Sequence, residues 1–172
     1  PGQKVSVSKI KPISRAFFKL IEIYNTHNIF TNNNPIKSFH LAEGPGGFIE
    51  ATAYIRSNPN DIYYGMTLID TNGNIPGWKK AEHIIKKYRN IELEHGIDNK
   101  GDLYNHKNLS YCKAKYKNSM NIITGDGGFD FSSDYNNQEK SAFRLIFTQV
   151  AYAITMQKHN GHFILKIFDM FE

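Results

Sequence analysis

Cysteine is nearly absent from this sequence of 172 residues. Its single cysteine, Cys112, excludes an internal disulfide and is compatible with a reducing compartment, where a lone thiol usually packs as a small apolar side chain. Long apolar runs are also missing: none approaches the roughly 18 residues that span a bilayer, and the N-terminus has no signal-peptide pattern. We therefore expect a soluble intracellular protein without a membrane partner.

Two common signatures of chemistry are missing as well. The seven histidines show no metal-ligand spacing, so no metal site is predicted, and no Gly-Lys-Ser/Thr sequence closes a phosphate loop. Acidic residues are outnumbered: 16 Asp plus Glu against 21 Lys plus Arg leave a formal charge of +5. This surplus favours a polyanionic partner, although an ordinary basic surface explains it almost equally well.

Helical and extended patterns alternate along the chain, and its length and 40% hydrophobic content suit one domain over residues 1–172. Strands are predicted near residues 39–42, 62–68, 91–94, 120–124 and 162–168, separated by helices that include 13–24, 78–88, 103–112 and 137–158. This alternation predicts an α/β domain: a largely parallel sheet with helices on both faces and ligands at the carboxyl ends of the strands. His40 is interpreted as a polar flank of the first strand, and Trp78 as a packing residue.

The segment FHLAEGPGGF at residues 39–48 carries the strongest local signal. An apolar strand breaks into a Gly-Pro-Gly-Gly turn, and a helix enters at Gly47, so glycines at 44, 46 and 47 let a ligand approach the backbone and the unpaired N–H groups of the helix. The dinucleotide pattern G-x-G-x-x-G fits poorly, because its third position is Ile49. The cradle of S-adenosylmethionine enzymes and a simple tight strand-to-helix connection remain as interpretations.

Two charged residues fall near the carboxyl ends of later strands. Asp126 follows the fourth predicted strand among glycines, and Lys166 lies inside the fifth, between Leu165 and Ile167. An unpaired lysine ion is costly to bury in an apolar strand, so Lys166 is expected at a cleft or in an ion pair. Asp126 is its natural partner. The simpler alternatives are a turn-capping carboxylate and a solvent-facing lysine on an edge strand.

Five segments in order along almost the whole chain carry a more specific signal: SRAFFK at 14–19, LAEGPGGF at 41–48, GMTL at 65–68, GDGGF at 125–129 and LKIFD at 165–169. Together they resemble the FtsJ-type RNA 2′-O-methyltransferases. Within that family the chain looks most like the cap-specific mRNA (nucleoside-2′-O-)-methyltransferases of eukaryotes and large DNA viruses. The resemblance implies a Rossmann-like methyltransferase fold with S-adenosyl-L-methionine as cofactor.

The resemblance also implies the site residues. The family uses a Lys-Asp-Lys-Glu tetrad, and by motif its first three members are Lys19, Asp126 and Lys166. Lys166 is then the base or hydroxyl-orienting group, Asp126 its partner near the methyl donor, and Lys19 a stabiliser of the developing oxyanion. The implied cofactor-binding residues are Asp126 together with Ser14, Ala42, Glu43, Gly44, Pro45, Gly46, Gly47, Phe48, Asp102 and Leu103. Asp102 is favoured over Asp98 as the contact to adenosine.

The chain departs from the family pattern after Lys166. The family's last strand and its glutamate have no counterpart, because Glu172 comes too soon after the lysine to match it. We therefore expect a sheet that lacks its last strand, a domain incomplete at its C-terminus, and more polypeptide beyond Glu172 in the complete protein.

The function implied is S-adenosyl-L-methionine-dependent methylation of a ribose 2′-hydroxyl, most simply on the first transcribed nucleotide of capped mRNA. A ribosomal or transfer RNA 2′-O-methyltransferase and a catalytically inactive, methyltransferase-like RNA-binding subunit are the alternatives. The expected partners are RNA, here the capped mRNA 5′ end, and a component of the capping apparatus, in the nucleus, the cytoplasm or a viral factory. Lys4, Lys9, Lys11 and Arg15 could line a phosphate track toward Lys19.

Overall fold

The computed structural model describes residues 10–69, 77–128 and 135–167. Within these residues the helices are α1 (Ala16–Thr26), α2 (Gly47–Arg56), α3 (Glu82–Lys87), α4 (His106–Tyr116) and α5 (Tyr135–Met156), with a 3-10 turn (Lys79–Ala81) before α3. The strands are β1 (Lys37–Leu41), β2 (Ile62–Met66), β3 (Ile91–Glu94), β4 (Met120–Gly125) and β5 (Gln157–Leu165). None of the helices in this part of the chain has the length and apolar character that a membrane crossing requires.

The described strands form one parallel sheet in the order β3-β2-β1-β4-β5. Leu41 at the end of β1 is in register with Met66 and with Gly125, and Gly125 is in register with Leu165. The carboxyl ends of four neighbouring strands therefore meet at one edge. Because the chain runs from β1 to β2 on one side and reaches β4 on the other, a topological switch point lies between β1 and β4.

Alternation along β1 assigns the two faces of the sheet. Phe39 and Leu41 pack in a cluster with α4 and α5, through side chains that include Cys112 and Tyr152. The opposite face is covered by α1 and α2, whose Phe17, Leu20, Phe48 and Ala51 pack with Ile122, and by α3 nearer β3. Helices thus cover both faces of a parallel sheet. The predicted α/β, Rossmann-like class is confirmed.

Two helices begin later than predicted, for local reasons. Helix α1 begins at Ala16, not Ile13, because the Ile13 N–H donates to Glu50 Oε2 at 2.8 Å and ties that segment to α2. Helix α4 begins at His106, because Asn105 adopts an extended backbone and its side chain accepts the Lys107 N–H at 3.0 Å. This N-cap fixes the start of the helix.

The junction of α5 and β5 also differs from the prediction. Helix α5 ends at Met156 and β5 begins immediately at Gln157, so Gly161 lies inside the strand rather than before it. The ladder shifts register between Met120 and Ile122, and Gln157 Nε2 donates to the Gly161 carbonyl at 2.6 Å across the irregular stretch. Periodicity alone does not reveal such a bulge.

Some predicted positions lie outside the described residues: Lys4, Lys9, Phe129, Phe168, Asp169 and Glu172.

Candidate active site

Asp126 and Lys166 meet where β4 and β5 end. Lys166 Nζ lies 2.6 Å from Asp126 Oδ1 and donates to the Asp126 main-chain carbonyl at 3.0 Å. The Lys166 side chain is 33% exposed and that of Asp126 is 24% exposed. The predicted ion pair is therefore present, at a half-open edge that a substrate can reach.

Lys166 follows β5 instead of lying inside it. The strand ends at Leu165, and the Lys166 N–H continues the ladder by one bond to the Gly125 carbonyl at 2.8 Å. This bond fixes the backbone beneath the amine, while the side chain reaches the solvent-accessible rim. The desolvation expected for a lysine within an apolar strand is correspondingly reduced.

Lys19 is not brought into contact with this pair. It lies on the exposed side of α1, and it forms no hydrogen bond or ion pair with any residue that the structure describes. Its helix nevertheless begins beside the glycine turn, since a Cβ on Gly47 would collide with Ser14 Oγ and lie 3.0 Å from Ala16 Cβ. Of the three predicted catalytic residues, the structure joins two and places the third on an adjacent helix.

The glycine turn is fixed by main-chain bonds to its neighbours. The Glu43 N–H donates to the Met66 carbonyl at 3.1 Å, and the Gly46 N–H donates to the Glu43 carbonyl at 2.7 Å. The Gly44 N–H donates to Thr67 Oγ1 at 3.1 Å, and a Cβ on Gly44 would lie only 2.8 Å from that oxygen. Gly44 therefore has to be a glycine for the turn to close against the end of β2.

Only part of the turn is open to a ligand. Ala42, Gly44 and Pro45 are partly exposed, whereas Gly46 and Gly47 are buried. Gly46 has φ of 114°, a left-handed conformation that glycine adopts without strain. A cofactor would meet the first half of the turn directly, and the second half supports it from below.

Glu43 turns away from the open side and caps α2. Its Oε1 accepts the Ile49 N–H at 2.8 Å, so one of the helix N–H groups that the sequence predicted as unpaired has a partner inside the protein. The other oxygen is buried and has no partner among the described residues. Burial raises the pKa of Glu43 well above its usual range, and the nearby Asp126 charge adds to the rise.

Two predicted cofactor residues bury their side chains in the core. Phe48 packs with α1, and Leu103 packs in the cluster beneath α4. Any cofactor contact from Phe48 or Leu103 therefore comes from the main chain. Ser14 is partly exposed beside the turn and is available to a ligand.

The loop before α4 separates the roles of Asp98 and Asp102. Asp98 is used by the loop itself: Oδ1 accepts from the Lys100 N–H and from Asn108 Nδ2, and Oδ2 accepts from Asn105 Nδ2. These bonds lower the pKa of Asp98 despite some desolvation. Asp102 uses only Oδ1, which accepts the Tyr104 N–H at 2.8 Å, within the described residues. Asp102 thus retains an acceptor oxygen for a ligand.

A buried series of hydrogen bonds from Ser38 through His40 to Thr124 lies beneath the site and was not predicted from the sequence. His40 lies within β1 and is fully buried, with Nε2 2.8 Å from Ser38 Oγ and Nδ1 2.8 Å from Thr124 Oγ1. Interpreting it as a polar flank was wrong. Desolvation lowers its pKa to about 3, so the ring is neutral and ties β1 to β4 just before Asp126. The alternation Ser-Phe-His-Leu was the available signal, because it places His40 opposite the apolar face.

Trp78 packs as predicted. Its ring covers Gly65 in β2, where a Cβ would lie 2.5 Å from the indole, and it joins the cluster with Ile49 and Tyr63. In the described segments no group of three or more His, Cys, Asp or Glu side chains is arranged to hold a metal ion.

Comparison with known sequences shows one family. A profile described as FtsJ-like methyltransferase matches residues 12–172. A cap-specific mRNA (nucleoside-2′-O-)-methyltransferase of Autographa californica nuclear polyhedrosis virus is 30% identical over 132 residues, which are 77% of this chain and 48% of that protein. The cap-specific mRNA (nucleoside-2′-O-)-methyltransferase 2 of Drosophila melanogaster is 26% identical over 179 residues, 96% of this chain and 25% of that protein. The chain thus spans half or less of these relatives.

Comparison with solved structures shows the fold. A Plasmodium falciparum protein named as a ribosomal RNA methyltransferase superposes with a TM-score of 0.56 at 18% identity, over 90% of this chain and 77% of that one. At this identity the likeness extends to the arrangement of helices and strands and no further.

Proposed function

The chain belongs to the FtsJ-like methyltransferase family, and we propose that it transfers a methyl group from S-adenosyl-L-methionine to a ribose 2′-hydroxyl of RNA. The resemblance predicted from the motifs is confirmed at the level of the family, and S-adenosyl-L-methionine is the cofactor of this family and fold. The observation that supports the reaction is the Asp126–Lys166 pair, which lies next to the switch point and beside the glycine turn.

The residues at this edge fit S-adenosyl-L-methionine. Gly44 lacks the side chain that would block the turn, and Ala42, Gly44 and Pro45 are partly exposed to a ligand. Asp102 offers an acceptor oxygen to the hydroxyl or amino groups of adenosine. The turn supplies no cluster of cations, which suits a ligand without a pyrophosphate.

A ribose hydroxyl is a poor nucleophile, so the protein has to align it and take its proton. When bound, S-adenosyl-L-methionine would supply an electrophilic methyl group, activated by the positive charge of its sulfonium sulfur and transferred from that sulfur to the ribose oxygen. Lys166 acts through Nζ as the base or the hydroxyl-orienting group. Asp126 holds that nitrogen in place through the 2.6 Å contact. Lys19, from the adjacent helix, offsets the negative charge that develops on the oxygen.

Capped mRNA is the substrate that we propose. Two relatives at 26% and 30% identity are named as cap-specific mRNA methyltransferases, and each aligns with most of this chain. The alternative of ribosomal or transfer RNA has no comparable support, because the Plasmodium falciparum likeness concerns the fold alone. An inactive RNA-binding subunit is disfavoured, since such a protein has no need of a paired lysine and aspartate at this edge.

Methyl transfer from radiolabelled S-adenosyl-L-methionine to capped and uncapped transcripts of one sequence tests the proposal. Nuclease digestion and mass spectrometry would locate the label on a ribose. We expect label on the capped transcript only. Equal labelling of both transcripts would count against the cap, and label on a base would refute ribose methylation.

Lys166→Ala tests the assignment of the base. Loss of a general base lowers the rate by about 100- to 10,000-fold, with the cofactor still bound in calorimetry. Lys158→Ala is the matched control, because Lys158 is an exposed lysine near the start of β5, whereas Lys166 follows the end of that strand. Near-normal transfer by Lys166→Ala would show that another group takes the proton.

A further inference from the structure

Gln149 is a fully buried polar residue in the middle of α5. Its Oε1 accepts the Gly127 N–H at 3.2 Å, and its Nε2 donates to the Leu145 carbonyl at 3.2 Å in the preceding turn of the helix. A fully buried amide side chain calls for a structural reason, which its hydrogen-bond partners supply. The reason lies in the turn that follows β4.

That turn is built around the Gln149 side chain. Asp126 is flanked by Gly125 and Gly127, and a Cβ on Gly125 would lie 2.5 Å from Gln149 Oε1. A Cβ on Gly127 would lie 3.1 Å from Gln149 Nε2. The glycines on both sides of Asp126 therefore leave the space that Gln149 occupies.

The same turn also carries the backbone of Lys166. The Gly125 carbonyl accepts the Lys166 N–H at 2.8 Å, and the Asp126 carbonyl accepts from Lys166 Nζ at 3.0 Å. Both members of the ion pair are thus attached to the three residues against which Gln149 packs.

We propose that Gln149 is a positioning residue that holds the turn at residues 125–127 so that Asp126 and Lys166 keep their geometry for methyl transfer. The inference rests on the proposed function. Gln149 acts through the main chain of Gly127 and not on substrate. Without its acceptor oxygen, the buried Gly127 N–H would have to move toward water to find a partner, and Asp126 would move with it.

The first test replaces the amide by an apolar side chain of similar length. Gln149→Met is expected to lower kcat by about 100-fold, the loss typical of a displacement near 1 Å, and to leave KM for RNA within a few-fold. Gln157→Met is the matched control. Gln157 also donates to a main-chain carbonyl, but it lies at the start of β5, far from the carboxyl ends of the strands where the site is. Its kcat should stay at the level of the unmodified protein.

A second readout needs no cofactor. Amide hydrogen exchange of the folded apo protein should show the Gly127 N–H protected, and Gln149→Met should accelerate its exchange while β4 amides remain slow. If Gln149 supported only global stability, its replacement would instead accelerate the exchange of the Gly127 and β4 amides together.

Gln149→Glu gives a test that remains available if Gln149→Met fails to fold. A protonated carboxyl can accept from Gly127 and donate to Leu145 as the amide does, whereas the carboxylate loses the donor and adds a charge near Asp126. Its rate relative to the unmodified protein should therefore be highest at low pH and fall as pH rises. A relative rate independent of pH would overturn the proposal.

The failures of the two proposals are distinguishable. If the unmodified protein methylates RNA and Gln149→Met is folded with unchanged kcat, the positioning role is wrong while the function stands. If the unmodified protein methylates no RNA, the proposed function is wrong, and amide exchange of Gly127 alone tests the positioning role of Gln149. Unaltered exchange in Gln149→Met then refutes that role, and faster local exchange supports it.

Discussion

His40 should make the stability of this domain depend on pH. The ring is fully buried between two hydroxyls, and desolvation lowers its pKa from 6.5 to about 3. In the unfolded chain the ring titrates near its ordinary value, so between pH 6.5 and 3 the unfolded state binds more protons than the folded one. The contribution of His40 is therefore fully present above pH 6.5 and is lost as pH falls through this window.

The size of the effect follows from the two pKa values. One pKa unit corresponds to about 1.4 kcal/mol, and pH 5 lies 1.5 units below the unfolded value of 6.5, so lowering the pH from 7 to 5 should remove about 2 kcal/mol of unfolding free energy. This is a large share of the roughly 5–15 kcal/mol that stabilises an ordinary domain.

Urea unfolding of the unmodified protein and of His40→Gln at pH 7 and pH 5 measures this loss of unfolding free energy. Glutamine can bond both hydroxyls but does not titrate, so the unmodified protein should lose about 2 kcal/mol more than the variant between the two pH values. Other groups, including Glu43, cancel in the comparison. His27→Gln, at an exposed histidine, controls for the substitution itself. Equal losses in the unmodified protein and His40→Gln would refute a neutral buried ring.

Two further sets of substitutions test contacts at the two ends of α2, Arg56 at its C-terminus and Gly47 at its N-terminus. Asp61→Ala leaves the Arg56 guanidinium buried without its carboxylate, 2.7 Å away, and should cost about 3–5 kcal/mol in urea unfolding, whereas Glu82→Ala at an exposed pair should cost less than about 1 kcal/mol. Similar losses in both would contradict the buried pair. Gly47→Ala pushes Ser14 off the glycine turn and should weaken S-adenosyl-L-methionine binding at least about tenfold in calorimetry. Adding Ser14→Ala should restore part of that affinity, and no recovery would exclude this contact as the cause.

The arrangement of strands could be predicted because each step is local. Apolar segments of strand length, separated by helical patterns, imply a parallel sheet, and a parallel sheet brings its carboxyl ends together. Asp126 and Lys166, 40 residues apart, were therefore expected to meet, and they do. Cys112 was expected to pack as a small apolar side chain because a lone thiol usually does so, and it is buried in the cluster with Phe39 and Leu41.

The buried polar groups could not be predicted in this way, because their partners are distant in the chain. His40 depends on Thr124, 84 residues later, and its burial is acceptable only because that hydroxyl is present. Gln149 fitted the apolar stripe of its helix, and nothing local indicated that its acceptor serves Gly127. The bond from Gly127 to Gln149 and the bond between His40 and Thr124 can be recognised only in the folded protein, because each joins residues that are far apart in the sequence.

The motif implied that Lys19 belongs to the site, whereas the structure places Lys19 on the exposed side of α1, out of contact with Asp126 and Lys166. The distance between Asp126 and Lys166 is set by the ladder of β4 and β5, since Gly125 is in register with Leu165 and bonds the Lys166 N–H. Lys19 has no such constraint: its helix is anchored through Phe17 and Leu20 on the opposite side, and its amine extends into solvent. A long side chain in this position loses rotamer freedom only when it meets an opposite charge. The Asp126–Lys166 pair is therefore preorganised by the fold, whereas the amine of Lys19 is not fixed by a bond to any residue that the structure describes.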